Sequence, residues 1–331
     1  MSPQQRIVIE DDTLVGEARR LGAAMSRAAG LSEAESGKVS IVVNELGTNI
    51  RKHAGTGELY LQELAAGAAR GLEVIALDKG PGMNLETSMR DGQSTAGTRG
   101  EGLGAIRRQA ELFDAWSSRT GTVIAVQIWA GGKAPASPVQ VGGMNTAYGG
   151  ETQSGDAWDC QQLGAVTRLL VADGLGHGPI AARAAEEALR VFGRSAGAPT
   201  AEAVVHLVHA GLRSTRGAAV AVAELDLVAR ELRYCGVGNI AATVEASGQR
   251  SRGLMSNNGI AGHEARRVQQ VAVPWPAHAV LVMHSDGITS HWKLDAYPGL
   301  LQRHPSVIAA VLHRDYRRPT DDATVVVVKE P

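Results

Sequence analysis

Aspartates stand beside glycine, or at the tips of apolar runs, at four places in the second half of this chain. Ser154-Gly155-Asp156 is the first. RLLVA then runs into Asp173-Gly174, AVLVMH runs into Ser285-Asp286-Gly287, and Asp321-Asp322 opens ATVVVV. Buried strands converging on one edge would bring these carboxylates together, and close negative charges are tolerable only when cations neutralise them. Hard oxygen donors of this kind suit Mg²⁺ or Mn²⁺, not zinc. A single Asp-Gly after a strand also reads as an ordinary turn. Four of them, two following strong Val/Leu runs, favour a shared site.

The first half carries a different set. Ser32 with Glu35 reads as a capping box, and Val39, Val42, Val43, Leu46 and Ile50 then keep helical spacing. Glu45 and Asn49 lie four apart on that helix, one above the other at the edge of the apolar stripe. There they either line a pocket or form a solvated helix face. Downstream, LEVIAL ends at Asp78 and passes into Lys79-Gly80-Pro81-Gly82, and Gly100-Glu101-Gly102-Leu103-Gly104 opens a later helix. Glycines let backbone amides approach a phosphate, and a helix N-terminus adds a positive dipole end. Tight turns use the same letters, so the glycine pattern is weak alone. Its order with Glu45, Asn49 and Asp78 carries more weight.

The elements that must position these residues are legible in outline. A short strand at 6–9, a helix from about Thr13 and a longer one from Ser32 precede two strands, the Gly-rich loop, a helix after Gly104 and two closing strands. GGKAPASP, Gly131 to Pro138, follows a strand-like run and reads as a linker, so the expected domains are 1–131 and 139–331 with 132–138 between them. Strands near Val141, Gln161 and Val166 come next, then helices at about 179–194 and 201–212 and several further strands. A short helix near 305–316 precedes a last strand at 323–328. Basic and acidic residues nearly balance at 33 and 34, so no excess of positive charge exists to hold nucleic acid or an anionic membrane. Cys160 and Cys235 are the only cysteines and lack zinc spacing, and no apolar run approaches a membrane span. The expectation is a cytoplasmic α/β protein with two cores.

The ordered set ELGTN, DKGPG, GEGLG and Gly121-Thr122 resembles the GHKL (Bergerat) ATPase superfamily. Within it, roughly residues 1–130 are similar to the RsbT-like serine/threonine switch kinases that act on STAS-domain proteins. The resemblance implies ATP with Mg²⁺: Glu45 as catalytic base, Asn49 as magnesium ligand and Asp78 as acceptor of the adenine amino group. Gly80 and Gly82 would form the loop against the base, Thr122 would support it, and residues 94–104, with Gly100, Gly102 and Gly104, would form the lid over the phosphates. No His-containing dimerisation helix precedes this stretch, unlike a sensor histidine kinase.

QSGDAWD, VADGLGHGP, HSDG and DDATVVVV are similar to the PP2C-type phosphatases of the SpoIIE and RsbX group over about 139–329, with RELRYCGVGNI and NNGIAG close to the RsbX branch. That resemblance implies a PP2C-like α-β-β-α sandwich. Asp156, Asp173, the Gly174 carbonyl, Asp286 and Asp321 would hold two Mn²⁺ or Mg²⁺ ions, with a bridging water as nucleophile. Asp173 and Asp286 would be central to the chemistry and Asp322 would be the less favoured of its pair. His177, within DGLGHG, is expected to pack or hydrogen-bond within its loop, with a general acid as the less favoured role. The segment is short for this fold and has no long flap, which leaves substrate selection open.

Together the two halves imply a bifunctional kinase and metal-dependent phosphatase that acts on STAS-domain partners, either RsbR/RsbS-like or anti-sigma antagonist-like, in a stress or sigma-factor switch. A second reading keeps the phosphatase and makes the ATP domain a nucleotide-responsive, anti-sigma-like binding module without kinase turnover.

Overall fold

The computed structural model describes residues 4–89, 102–149 and 151–331. The chain divides into two compact units: one comprises residues up to Ser137 together with Tyr297–Arg314, and the other Pro138–Ala296 with Asp315–Pro331.

The first unit begins with β1 (Gln5–Ile9), α1 (Asp12–Ala28) and α2 (Glu33–His53). It continues with β2 (Gly57–Ala66), β3 (Ala69–Asp78), the short α3 (Leu85–Ser88), α4 (Leu103–Gln109), β4 (Leu112–Ser118) and β5 (Gly121–Trp129). The strands form one sheet in the order β1-β2-β3-β5-β4, every neighbour antiparallel. The capping box forms as expected: Ser32 Oγ accepts from the Glu35 amide at 3.3 Å, and the Ser32 amide donates to Glu35 at 2.8 Å. Strand alternation then separates two buried faces. Leu59, Leu61, Leu72, Val74 and Ala76 pack with the apolar stripes of α1 and α2.

Tyr60, Glu73, Ile75 and Gln127, of the opposite parity, are buried as well. The cover on this side includes α7 (Pro305–Tyr316), whose residues to Arg314 group with this unit although sequence order places them in the second half. Ser306 donates to buried Glu73 at 2.6 Å, Gln127 donates to the same oxygen at 2.8 Å, and the His304 amide donates to Asp114 at 2.6 Å. Burial raises the Glu73 carboxyl pKa, and these two side-chain donors work against the rise.

The second unit stacks two antiparallel sheets. One holds β7 (Asp156–Leu163), β8 (Val166–Gly174), β9 (Ala218–Asp226), β10 (Glu231–Val237) and β13 (Val271–Pro274). The other holds β6 (Gln140–Thr146), β11 (Ala241–Glu245), β12 (Arg252–Leu254), β14 (Val280–His284) and β15 (Ala323–Lys329). Leu169, Val171, Ala221 and Ala223 of the first sheet meet Leu281, Met283, Val326 and Val328 of the second. Residues of the other parity, Leu170, Ala172, Val220 and Val222, pack against α5 (Gly178–Gly193) and α6 (Ala201–Gly211). Asp156 and Asp173 share the parity of Trp158 and Val171, so both lie at strand ends on the face between the sheets. No helix among the described residues is long and apolar enough to cross a membrane.

Candidate functional site

In the first unit Asp78 ends β3 with the parity of Val74 and Ala76, so it belongs to the face that the helices cover. Its Oδ1 accepts the Gly80 amide at 2.8 Å and the Thr122 amide at 3.2 Å. This fixes the carboxylate between the Gly-rich loop and the start of β5. Ser117, which no sequence motif singles out, completes the cradle: its hydroxyl accepts the Met83 amide at 2.8 Å and lies 2.9 Å from Thr122 Oγ1. Gly82 has φ 76°, and a β-carbon there would sit 1.9 Å from the Ser118 carbonyl oxygen, so no other residue fits. Glu45 and Asn49 are half-buried on α2, the one helix turn apart that their spacing predicted. Gly102 caps α4 and Gly104 lies in its first turn. Gly100 and most of the 94–104 stretch lie outside the described residues.

In the second unit, register brings Asp156 and Asp173 directly opposite each other on β7 and β8, and directly opposed residues of antiparallel strands share a face. Asp156 is buried, and its Oδ2 accepts the Ser285 hydroxyl at 2.5 Å. Asp286 follows that serine and accepts from the Asn239 side chain at 2.7 Å. Burial is the largest cause raising the carboxyl pKa of both Asp156 and Asp173. Repulsion follows, from Asp322 and Asp286 on Asp156, and from Asp156, Asp286, Asp321 and Asp322 on Asp173. The carboxyl of Asp321 is raised by burial and then by Asp286. Four segments distant in sequence thus place their carboxylates within mutual electrostatic reach.

The neighbours Asp321 and Asp322 part company in their contacts. Buried Asp322 accepts the Tyr148 amide at 2.7 Å and the Gly155 amide at 2.9 Å, so both its oxygens hold the loop before β7. Asp321 accepts the adjacent Asp322 amide at 2.9 Å. Gly287 is needed because a β-carbon there would lie 1.8 Å from the Asp322 carbonyl oxygen. Gly174 ends β8, with its amide bonded to the Gly155 carbonyl at 2.9 Å. His177 is exposed, its ring tilted against Tyr148 at a separation of 5.1 Å and its Nδ1 3.4 Å from Glu151.

Among the described residues no three His, Cys, Asp or Glu side chains already close on one point. The donor set nevertheless fits a divalent cation. It is all oxygen, Asp156 is buried and Asp173, Asp286 and Asp321 are half-buried, and its repulsions are of the kind that positive charge relieves. Asn239 and Ser285, which position Asp286 and Asp156, are not among the residues that the sequence pattern picks out. Ser285 lies within HSDG, so its adjacency to Asp286 was the available signal, whereas Asn239 lies within RELRYCGVGNI, which carried a family likeness but no residue role.

Residues 164–331 match the family model described as Stage II sporulation protein E (SpoIIE), and residues 9–128 match that of the histidine kinase-like ATPase domain. The serine/threonine-protein kinase RsbT of Bacillus subtilis (strain 168) is 33% identical over 109 residues, which is 33% of this chain and 80% of that protein. A structure described under the bacterial stressosome, a modular system adapted to control secondary messenger signalling, is 28% identical. It covers 58% of this chain and 100% of its own, with a TM-score of 0.54. The structure of RsbX in complex with magnesium covers 60% of this chain and 98% of its own at a TM-score of 0.52. At 17% identity that likeness speaks for fold alone.

Proposed function

The chain belongs to the SpoIIE family through its second half and has an RsbT-related histidine kinase-like ATPase domain in its first, and on that premise we propose a switch enzyme that both adds and removes phosphate. Its substrates are serine or threonine residues of STAS-domain partners. One observation carries the reading. A single chain holds a glycine-built cradle around Asp78 and a carboxylate edge around Asp156 and Asp173, machinery suited to opposite reactions.

In the kinase arm Asp78 accepts the adenine amino group, Thr122 and the loop of Gly80 and Gly82 support the base, and Gly100, Gly102 and Gly104 belong to the phosphate lid. Asn49 would hold Mg²⁺, and Glu45 would accept the proton of the attacking hydroxyl. Phosphoryl transfer needs little more than such positioning and charge. In the phosphatase arm Asp156, Asp173, the Gly174 carbonyl, Asp286 and Asp321 would hold Mn²⁺ or Mg²⁺. Bound there, the ions would cancel the carboxylate repulsion and acidify a water for attack on phosphorus. Ser285 and Asn239 orient Asp156 and Asp286, and Asp322 ties down the loop before β7.

The test incubates the full chain with STAS-domain proteins, ATP and Mn²⁺ or Mg²⁺ and follows the partner's intact mass. Asp173→Asn should let phosphorylated partner accumulate, and Glu45→Ala should only remove phosphate already present. A stoichiometric complex that gains no phosphoryl mass would overturn the kinase arm in favour of an anti-sigma-like binding domain. Activity unchanged by a chelator would overturn the metal assignment.

A further inference from the structure

The second unit has an open concavity of about 550 Å³ lined by Asn257, Asn258, Gly259, Glu264, Arg266 and Arg267. Its wall is anchored to the elements that carry the aspartates. The Asn257 amide donates to the Gly236 carbonyl at 2.8 Å, and the Gly238 amide donates to the Asn257 carbonyl at 2.9 Å. The next residue, Asn239, is the one that holds Asp286. On the other side Ala261 pairs with Ala218 at the start of β9, directly beside Gly174 in the register of β8. The cavity and the carboxylate edge therefore lie at the same end of the same sheet.

Charge on this surface departs from the balance of the whole chain. Glu264 is the one carboxylate of the cavity lining and pairs with Arg266 at 2.5 Å, while Arg267 donates to Gln269. Two guanidinium groups against one carboxylate leave the lining net positive. The positive character continues towards the aspartates. The exposed Arg216 guanidinium lies beside Gly176, where a β-carbon would be 3.6 Å away, and Gly176 follows Asp173 by three residues. His263 packs against Gly217, whose carbonyl accepts the Leu175 amide at 3.1 Å. The His209 ring accepts the Gly262 amide at 3.1 Å. Burial first, and then Arg213, hold that imidazole below its ordinary range.

We propose that the Arg266 and Arg267 cavity, with Arg216 between it and the aspartates, is where the phosphatase unit reads acidic residues flanking the phosphoserine or phosphothreonine of its protein substrate. The proposal rests on the phosphatase reading and gives it a substrate class. The phosphate must arrive at the carboxylate edge, so the adjoining residues of a bound segment extend over a surface that rewards negative side chains. No long insertion is needed to select a substrate in this way.

The experiment measures kcat/KM of the full chain with Mn²⁺ on phosphopeptides that differ only in flanking residues: acidic, alanine or lysine. The expected result is a preference of about tenfold for acidic over lysine flanks at low salt, the size of two exposed charge pairs acting together. Added salt should shrink it. In the Arg266→Gln/Arg267→Gln double variant the ratio should fall close to one, and Arg267→Glu should lower it as well. The ratio is taken within each variant, so a general loss of folded protein cancels. No preference in the unaltered chain, or an equal preference in the double variant, would overturn the proposal. Failure to hydrolyse any peptide, the alanine-flanked one included, would overturn the phosphatase reading beneath it and is recognised by that pattern.

Discussion

Removing Asp321 and removing Asp322 should have opposite consequences, although the two residues are adjacent and chemically identical. Asp322→Ala deletes both acceptors of the Tyr148 and Gly155 amides. A buried backbone N–H left without a partner costs about 1–3 kcal/mol, and of the two the Gly155 contact is the fully buried one. Part of that loss is offset, because burial raises the carboxyl pKa of Asp322 and alanine removes a group costly to ionise there. The net expectation is a destabilisation of about 2–3 kcal/mol, which at an ordinary urea slope moves the unfolding midpoint of the second unit down by about 1 M.

Asp321→Ala removes only a bond to the adjacent amide, so the metal-free midpoint should hardly move while stabilisation by Mn²⁺ and phosphatase turnover are lost. Urea titrations of the full chain with chelator and with Mn²⁺ measure both effects. Hydrogen exchange at the Tyr148 and Gly155 amides reads the loop directly. If Asp322→Ala left those amides protected and abolished the Mn²⁺ response, while Asp321→Ala preserved it, the division of roles between the two aspartates would be wrong.

Gly82→Ala should abolish measurable ATP binding by calorimetry while the second unit keeps its phosphatase turnover, because the new methyl group collides with the Ser118 carbonyl at a positive φ. The raised carboxyls of Asp156 and Asp173 bind protons more tightly when folded than unfolded. Their contribution to metal-free stability is therefore full below the ordinary carboxylate range and is lost as pH rises through the raised values. With chelator, Tm should fall from about pH 5 to pH 8, and the increment given by Mn²⁺ should grow over the same window as it displaces those protons. A flat metal-free profile would contradict the buried cluster. Glu73→Gln keeps an acceptor for Ser306 and removes the ionisable group, so it should raise first-unit stability at alkaline pH and leave it nearly unchanged near pH 4. Thermal unfolding of the two forms at both pH values tests this.

Local patterns make much of this protein legible from its amino-acid sequence alone. The capping box at Ser32, the one-turn spacing of Glu45 and Asn49, the glycines around Asp78 and the helix at 305–316 all rest on contacts within a few residues, which sequence records directly. The aspartates at strand tips are visible for the same reason, as are the family likenesses that follow from their order. Tertiary structure alone decided which of those residues meet. Register put Asp156 opposite Asp173, and backbone amides from positions far away in sequence claimed both oxygens of Asp322 and left Asp321 the freer donor. Tertiary structure also returned residues 297–314 to the first unit, where Ser306 satisfies a glutamate buried in a sheet two hundred residues earlier. Neither periodicity nor composition encodes such pairings, because a buried polar group specifies only that it must have a partner and not where in the chain that partner lies.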